Sequence, residues 1–141
     1  MAFEVGGAIE IMLNAHGDQK DKNGEPYVYH PWRVCGRLPL NLFLNRTAAC
    51  AALLHDVLKD TDWTEADLRK VGAGGFLMKI LKLLEWEETE DYFEYINRIV
   101  ESGNKVAIEV KKADLMDNLR EGCPDSLRGR YYRALQILGA T

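Results

Sequence analysis

The chain has 141 residues, with 18 Lys plus Arg against 22 Asp plus Glu and a formal net charge of -4. That length suits one domain, and 47% hydrophobic with 28% charged residues matches an average soluble globular protein. The acidic balance excludes a basic nucleic-acid surface over the whole domain and leaves room only for a local basic patch.

In chain order the sequence reads as helix after helix. From Phe3 to His16, the apolar residues Val5, Ala8, Ile9, Met12 and Leu13 follow the 3.6-residue period. A polar stretch from Gly17 to Pro31 follows, with Asn23-Gly24 and Pro26 as turn signals. Pro31 stands at a first helical position, and Trp32, Val34, Cys35 and Leu38 carry a short helix that Pro39 ends. One helix is expected over Leu42–Lys59, apolar nearly all round through Ala48-Ala49-Cys50-Ala51-Ala52-Leu53-Leu54 and therefore central. Thr64-Glu65-Ala66-Asp67 matches a capping box. Beyond the glycines at 72, 74 and 75, helices are expected over Phe76–Leu84, Asp91–Val100, Val106–Arg120 and Asp125–Leu138. The expectation is an all-α, compact single-domain bundle of about seven helices spanning residues 1–141.

No apolar run reaches the ~18 residues of a membrane helix, and the N-terminus lacks the cationic start of a signal peptide. Cys35, Cys50 and Cys123 fit neither a paired motif nor a disulfide framework, which points to a cytoplasmic location.

Ionisable residues in apolar surroundings carry the functional signal. The apolar helix ends abruptly in His55-Asp56. Both side chains can reach a metal placed beyond the helix end, and imidazole with carboxylate suits Zn, Mn or Fe. Alone, the pair reads as a capped helix terminus with histidine at the negative end of the dipole. His30, in Tyr29-His30-Pro31, is a ligand or a turn residue. Asp114 and Asn118 are helical neighbours, with Lys111 on the same face; they form part of a site or a solvated polar stripe.

The ordered set His30, His55-Asp56 and Asp114 resembles the H…HD…D signature of the HD superfamily of metal-dependent phosphohydrolases. The flanking text is similar to the hydrolase domain of the RelA/SpoT family: Ala15-His16-Gly17-Asp18-Gln19, Gly24-Glu25-Pro26-Tyr27-Val28-Tyr29-His30-Pro31, Ala51-Ala52-Leu53-Leu54-His55-Asp56-Val57, Asp60-Thr61, and Val110-Lys111-Lys112-Ala113-Asp114 with Asn118. The similarity runs from about Ala8 to Asn118. It implies an all-α HD domain that removes the 3′-pyrophosphate of guanosine tetra- or pentaphosphate with a manganese ion. It also implies His30, His55, Asp56 and Asp114 as metal ligands, and a form like the stand-alone small alarmone hydrolases. The expected partner is a small phosphorylated nucleotide, with no polynucleotide and no membrane.

Two positions depart from the family pattern. The family has H-D-x-x-E-D, with a glutamate that orients or activates the attacking water, where this chain has Lys59-Asp60. An ammonium accepts no proton, so Lys59 is expected to bind a substrate phosphate while Asp60 or Asn118 positions the water. Other HD phosphohydrolases, including the HD-GYP type, carry a lysine four residues after the HD histidine, as here. The competing reading has Lys59 snorkelling to solvent in a silent domain that binds a nucleotide or a protein partner. The second departure is Asp21, which stands where the family places an arginine that stacks on guanine. Lys20 and Lys22 beside it, with Lys59 and Lys111, are the expected phosphate contacts. Trp63, Trp86 and Tyr131-Tyr132 belong to a partner face or to the core, and Arg128, Arg130 and Arg133 form a basic helix face or plain surface.

Overall fold

The computed structural model describes residues 3–120 and 122–139. Among these residues it has ten helices: α1 (Val5–His16), α2 (Tyr29–Gly36), α3 (Leu40–Phe43), α4 (Arg46–Leu54), α5 (Val57–Asp60), α6 (Glu65–Lys70), α7 (Gly75–Leu83), α8 (Tyr92–Glu101), α9 (Lys105–Asn118) and α10 (Asp125–Ile137). The only extended pairing among them is a single antiparallel bridge, Lys20 to Pro26. The all-α expectation holds.

Helix α4 is the axis of the bundle. Every residue from Ala48 to Leu54 is buried, and it packs against α1, α2, α3, α7 and α9. Four alanines in this run keep its surface low, so neighbouring helices approach on all sides. A second layer is built by α8, α9 and α10. On α8 the buried Tyr92, Tyr95, Ile96 and Ile99 follow the helical period that marks one apolar stripe. Trp63, Trp86 and Tyr131 pack half-buried against the core, whereas Tyr132 is exposed.

The structure corrects the single helix expected over Leu42–Lys59. Asn45 caps α4, its side chain accepting from the Ala48 N–H at 3.0 Å, and this separates α3 from α4. At the other end the helix stops at Leu54, and His55 and Asp56 form a turn before α5. Asp56 has φ -105° and ψ 0°, in the bridge region rather than a helical conformation. That break points two adjacent side chains the same way. Helix α2 also begins two residues earlier than expected, at Tyr29, which puts Pro31 in its first turn, where no helical N–H is lost. The capping box at Thr64 and Asp67 forms as expected.

Candidate metal centre

Four residues from three segments converge on one point. His30 comes from the first turn of α2, His55 and Asp56 from the α4–α5 break, and Asp114 from α9. Each offers a ligand atom, and the four atoms lie within 4.8 Å of one another. Ligand atoms around one divalent ion, each about 2.0–2.3 Å from it, are separated by distances of this order. His30, His55 and Asp114 are buried.

Hydrogen bonds to the far side of each imidazole fix which nitrogen faces the cluster. His55 Nδ1 donates to the Ala52 carbonyl at 2.6 Å, which leaves Nε2 as the lone-pair nitrogen. This Nε2 is buried without a hydrogen-bond partner among the described residues, yet Asp56 Oδ2 is 3.1 Å away and Asp114 Oδ1 is 3.4 Å away. His30 Nδ1 donates to Asp117 Oδ2 at 2.7 Å, and its Nε2 faces Asp114 Oδ1 at 2.8 Å. Two imidazole lone pairs turned toward two carboxylates repel unless a cation lies between them. A proton or a metal ion meets that need, and the donor set fits a divalent metal.

The charges respond accordingly. Burial alone lowers the pKa of both histidines, but the hydrogen bonds of Asp114 and Asp117 raise His30, and the charges of Asp56 and Asp114 raise His55 well above its usual range. Burial works to raise the Asp114 carboxyl, but Lys111 and His55 hold it well below the ordinary carboxylate range. Lys111 Nζ sits 2.9 Å from Asp114 Oδ2.

Three supporting residues had no role assigned from the sequence. Asp117 is buried, accepts from His30, and also takes Arg33 Nε at 2.8 Å and Arg37 Nε at 3.1 Å. It lies three residues after Asp114 on the same helix, a spacing that marks it as a neighbour. The Tyr27 hydroxyl donates to Asp56 Oδ2. His16 is buried with its Nε2 unpartnered among the described residues, and its ring lies 4.8 Å from that of Tyr27.

The remaining expected site residues are divided among several places. Lys20, Lys22 and Asn118 line a cleft of about 270 Å³ that shares His30 with the metal cluster. Asn118 Nδ2 also reaches Asp114 Oδ1 at 3.4 Å. Asp60, on α5, has its carboxyl pushed up by burial and by the charge of Asp56. Lys59 does not point at the cluster's carboxylates; its Nζ lies over the Trp86 ring, 4.5 Å from the centroid. Asp21 is a loop anchor. Its Oδ1 accepts from the Asn23 and Glu25 N–H groups, both at 2.9 Å, and its Oδ2 lies 3.3 Å from Arg120 Nη2 across the cleft.

No protein-family model matches the chain. It is 32% identical over 130 residues to a guanosine-3′,5′-bis(diphosphate) 3′-pyrophosphohydrolase of Aquifex aeolicus, covering 84% of this chain and 18% of that protein. It is 29% identical over 126 residues to a probable enzyme of the same name from Mycoplasma pneumoniae, covering 79% and 17%. The chain thus spans less than a fifth of the length of these curated relatives. Among solved structures it is similar to a metazoan ortholog of SpoT described as hydrolysing ppGpp, with TM-score 0.74 and 24% identity over 98% of this chain and 84% of that one. The resemblance to alarmone hydrolases and the helical HD-type fold are both borne out.

Proposed function

We propose that the protein is a divalent-metal-dependent phosphohydrolase that removes the 3′-pyrophosphate from guanosine tetra- or pentaphosphate. The observation that carries this reading is the closure of His30, His55, Asp56 and Asp114 around one point, with both imidazole Nε2 atoms turned inward. Similarity to named 3′-pyrophosphohydrolases supports the choice of substrate.

His30, His55, Asp56 and Asp114 would hold a divalent ion, manganese in this reading, which would supply Lewis-acid polarisation of a phosphoryl oxygen and acidify a water. The chain's own residues do the rest. Asp117 and the Ala52 carbonyl hold the two imidazoles in the ligating tautomer. Tyr27 fixes the Asp56 carboxylate. In this reading Asp60, its carboxyl pushed up by burial and by the charge of Asp56, takes a proton from the attacking water, and Asn118 orients it. Lys20 and Lys22 meet phosphate oxygens at the cleft, and Lys111 keeps Asp114 ionised. Lys59, resting on Trp86, swings toward phosphate rather than toward water. The whole chain acts as one HD domain in the cytoplasm on a small nucleotide, with no membrane or polynucleotide partner.

The test is product identity from a nucleotide panel offered to manganese-loaded protein. The expected result is guanosine 5′-diphosphate plus pyrophosphate from the tetraphosphate, and a weaker substrate affinity in Lys59→Glu. Intact nucleotides throughout, with metal bound, would favour the silent-binder reading. An unchanged affinity and rate in Lys59→Glu would remove the role given to Lys59.

A further inference from the structure

The face built by α1, α2 and α3 collects apolar side chains that the core does not take in. Of the eleven large hydrophobic residues exposed among the described residues, six lie here: Leu13, Tyr29, Trp32, Leu40, Phe43 and Leu44. Scattered singly they would be ordinary, but these adjoin one cleft. Val5 and Ile9 of α1 line one side of it and Trp32 of α2 the other, over a floor of Ala49 and Leu53 from α4. Phe43 of α3 also lines it, no charged side chain does, and its volume is about 360 Å³. Helical spacing extends the first side to Leu13, four residues after Ile9, and the second to Tyr29, three before Trp32.

Beside the cleft stands a matching projection. Leu40 and Leu44, four residues apart at α3, are 71% and 72% exposed, the highest values among these hydrophobic residues. Phe43, in the cleft, belongs to the same helix. One face therefore carries both an apolar hole and an apolar knob, and a two-fold axis brings the knob of each copy to the hole of the other.

The flanks of the cleft are complementary in the same sense. Helix α1 with its cap residue carries Glu4 and Glu10 and no lysine or arginine, whereas residues 29–54 carry Arg33, Arg37 and Arg46 and no acid. Arg33 and Arg37 share a single oxygen, Asp117 Oδ1, and the Glu4–Arg46 pair is loose at 3.5 Å with both side chains exposed. Glu10 is exposed and has no cationic partner among the described residues. Two copies attract when the acidic flank of each meets the basic flank of the other.

We propose that this face is the interface of a two-fold symmetric homodimer, in which Leu40 and Leu44 of each copy seat in the cleft between α1 and α2 of the other, and Glu10 faces Arg46 of the partner subunit. Six side chains that each bring on the order of 100 Å² to a contact, together with the cleft, approach the roughly 800 Å² that a standard interface takes from each partner. The interface stands apart from the hydrolase reading: none of Leu40, Leu44, Glu10 and Arg46 belongs to the metal cluster or lines the cleft that holds Lys20 and Lys22.

Sedimentation velocity of the full chain between about 1 and 100 µM reads the assembly directly. The expected result is a species of twice the chain mass that dissociates on dilution. Leu44→Glu and Trp32→Glu should each raise the dissociation constant at least about tenfold. Circular dichroism should stay unchanged in both, because both side chains are exposed.

A charge exchange separates this pairing from unspecific association. Glu10→Lys and Arg46→Glu should each self-associate more weakly, while an equimolar mixture of the two regains the dimer, since every altered flank then meets an opposite charge. A monomer at every concentration overturns the proposal, as does a dimer that Leu44→Glu and Trp32→Glu leave intact, or a mixture no stronger than its components. A monomer that instead sediments with phosphatidylcholine vesicles also overturns it, and gives the face to a lipid surface.

Discussion

His55 shows how a single side chain is prepared for a ligand before one arrives. The Ala52 carbonyl takes its Nδ1 proton, and the buried Nε2 is left facing Asp56 and Asp114. His30 is prepared in the same way by Asp117, which is itself held by Arg33 and Arg37. Asp117→Asn keeps the shape but weakens the acceptor, so metal affinity should fall about 10–100-fold with helicity unchanged. Isothermal titration with manganese, beside circular dichroism, checks both halves. The four proposed ligands were legible in the sequence because their order and flanking residues form a motif. Asp117 was not, because its role depends on α2 crossing α9, a contact between residues 87 positions apart. Lys59 was legible as an anomaly, but its resting place on Trp86 depends on how α5 lies relative to the segment before α8.

At the scale of elements, the site depends on two interruptions in helical structure. The first is the break after Leu54, which aims His55 and Asp56 together. Hydrophobic periodicity carries no sign of it, since Val57 is buried as a continuing helix would have it. The second is the loop from Gly17 to Val28. Gly17 leaves α1 at φ 49° and Gly24 turns the loop at φ 79°, conformations that cost glycine least. Asp21 then ties the loop internally and to Arg120. Read against the family, Asp21 was a lost arginine; in the structure it is a bracket that brings Lys20 and Lys22 to the cleft. Asp21→Ala removes two backbone caps and one partly exposed ion pair, an expected cost of about 1–2 kcal/mol. Thermal unfolding measures that cost. Substrate KM should rise in the same variant while manganese affinity stays level.

For the whole molecule, one continuous core surrounds α4, and the metal cluster is set at its end rather than on its surface. Its contribution to stability therefore depends on pH. The folded pKa values of His30 and His55 lie above their ordinary value of 6.5. In the metal-free protein the two protonated imidazoles stabilise the fold fully below about pH 6.5, and that contribution is lost as pH rises through the raised folded values. Metal binding displaces those protons and so strengthens with pH. The melting-temperature gap between manganese-loaded and chelator-treated protein should widen from about pH 6 to about pH 9. A gap that narrows over that range would assign the cluster to protons alone. The net charge of -4 includes Asp56 and Asp114, whose negative charge a bound cation offsets.

The central claim is that these four residues hold one divalent ion. Electron paramagnetic resonance of manganese titrated into the full chain tests it most directly. The account predicts one bound ion per chain, lost in His55→Ala and in Asp114→Ala while both variants keep their helical content. Absence of binding in the unaltered chain, or full binding that survives both substitutions, would contradict it.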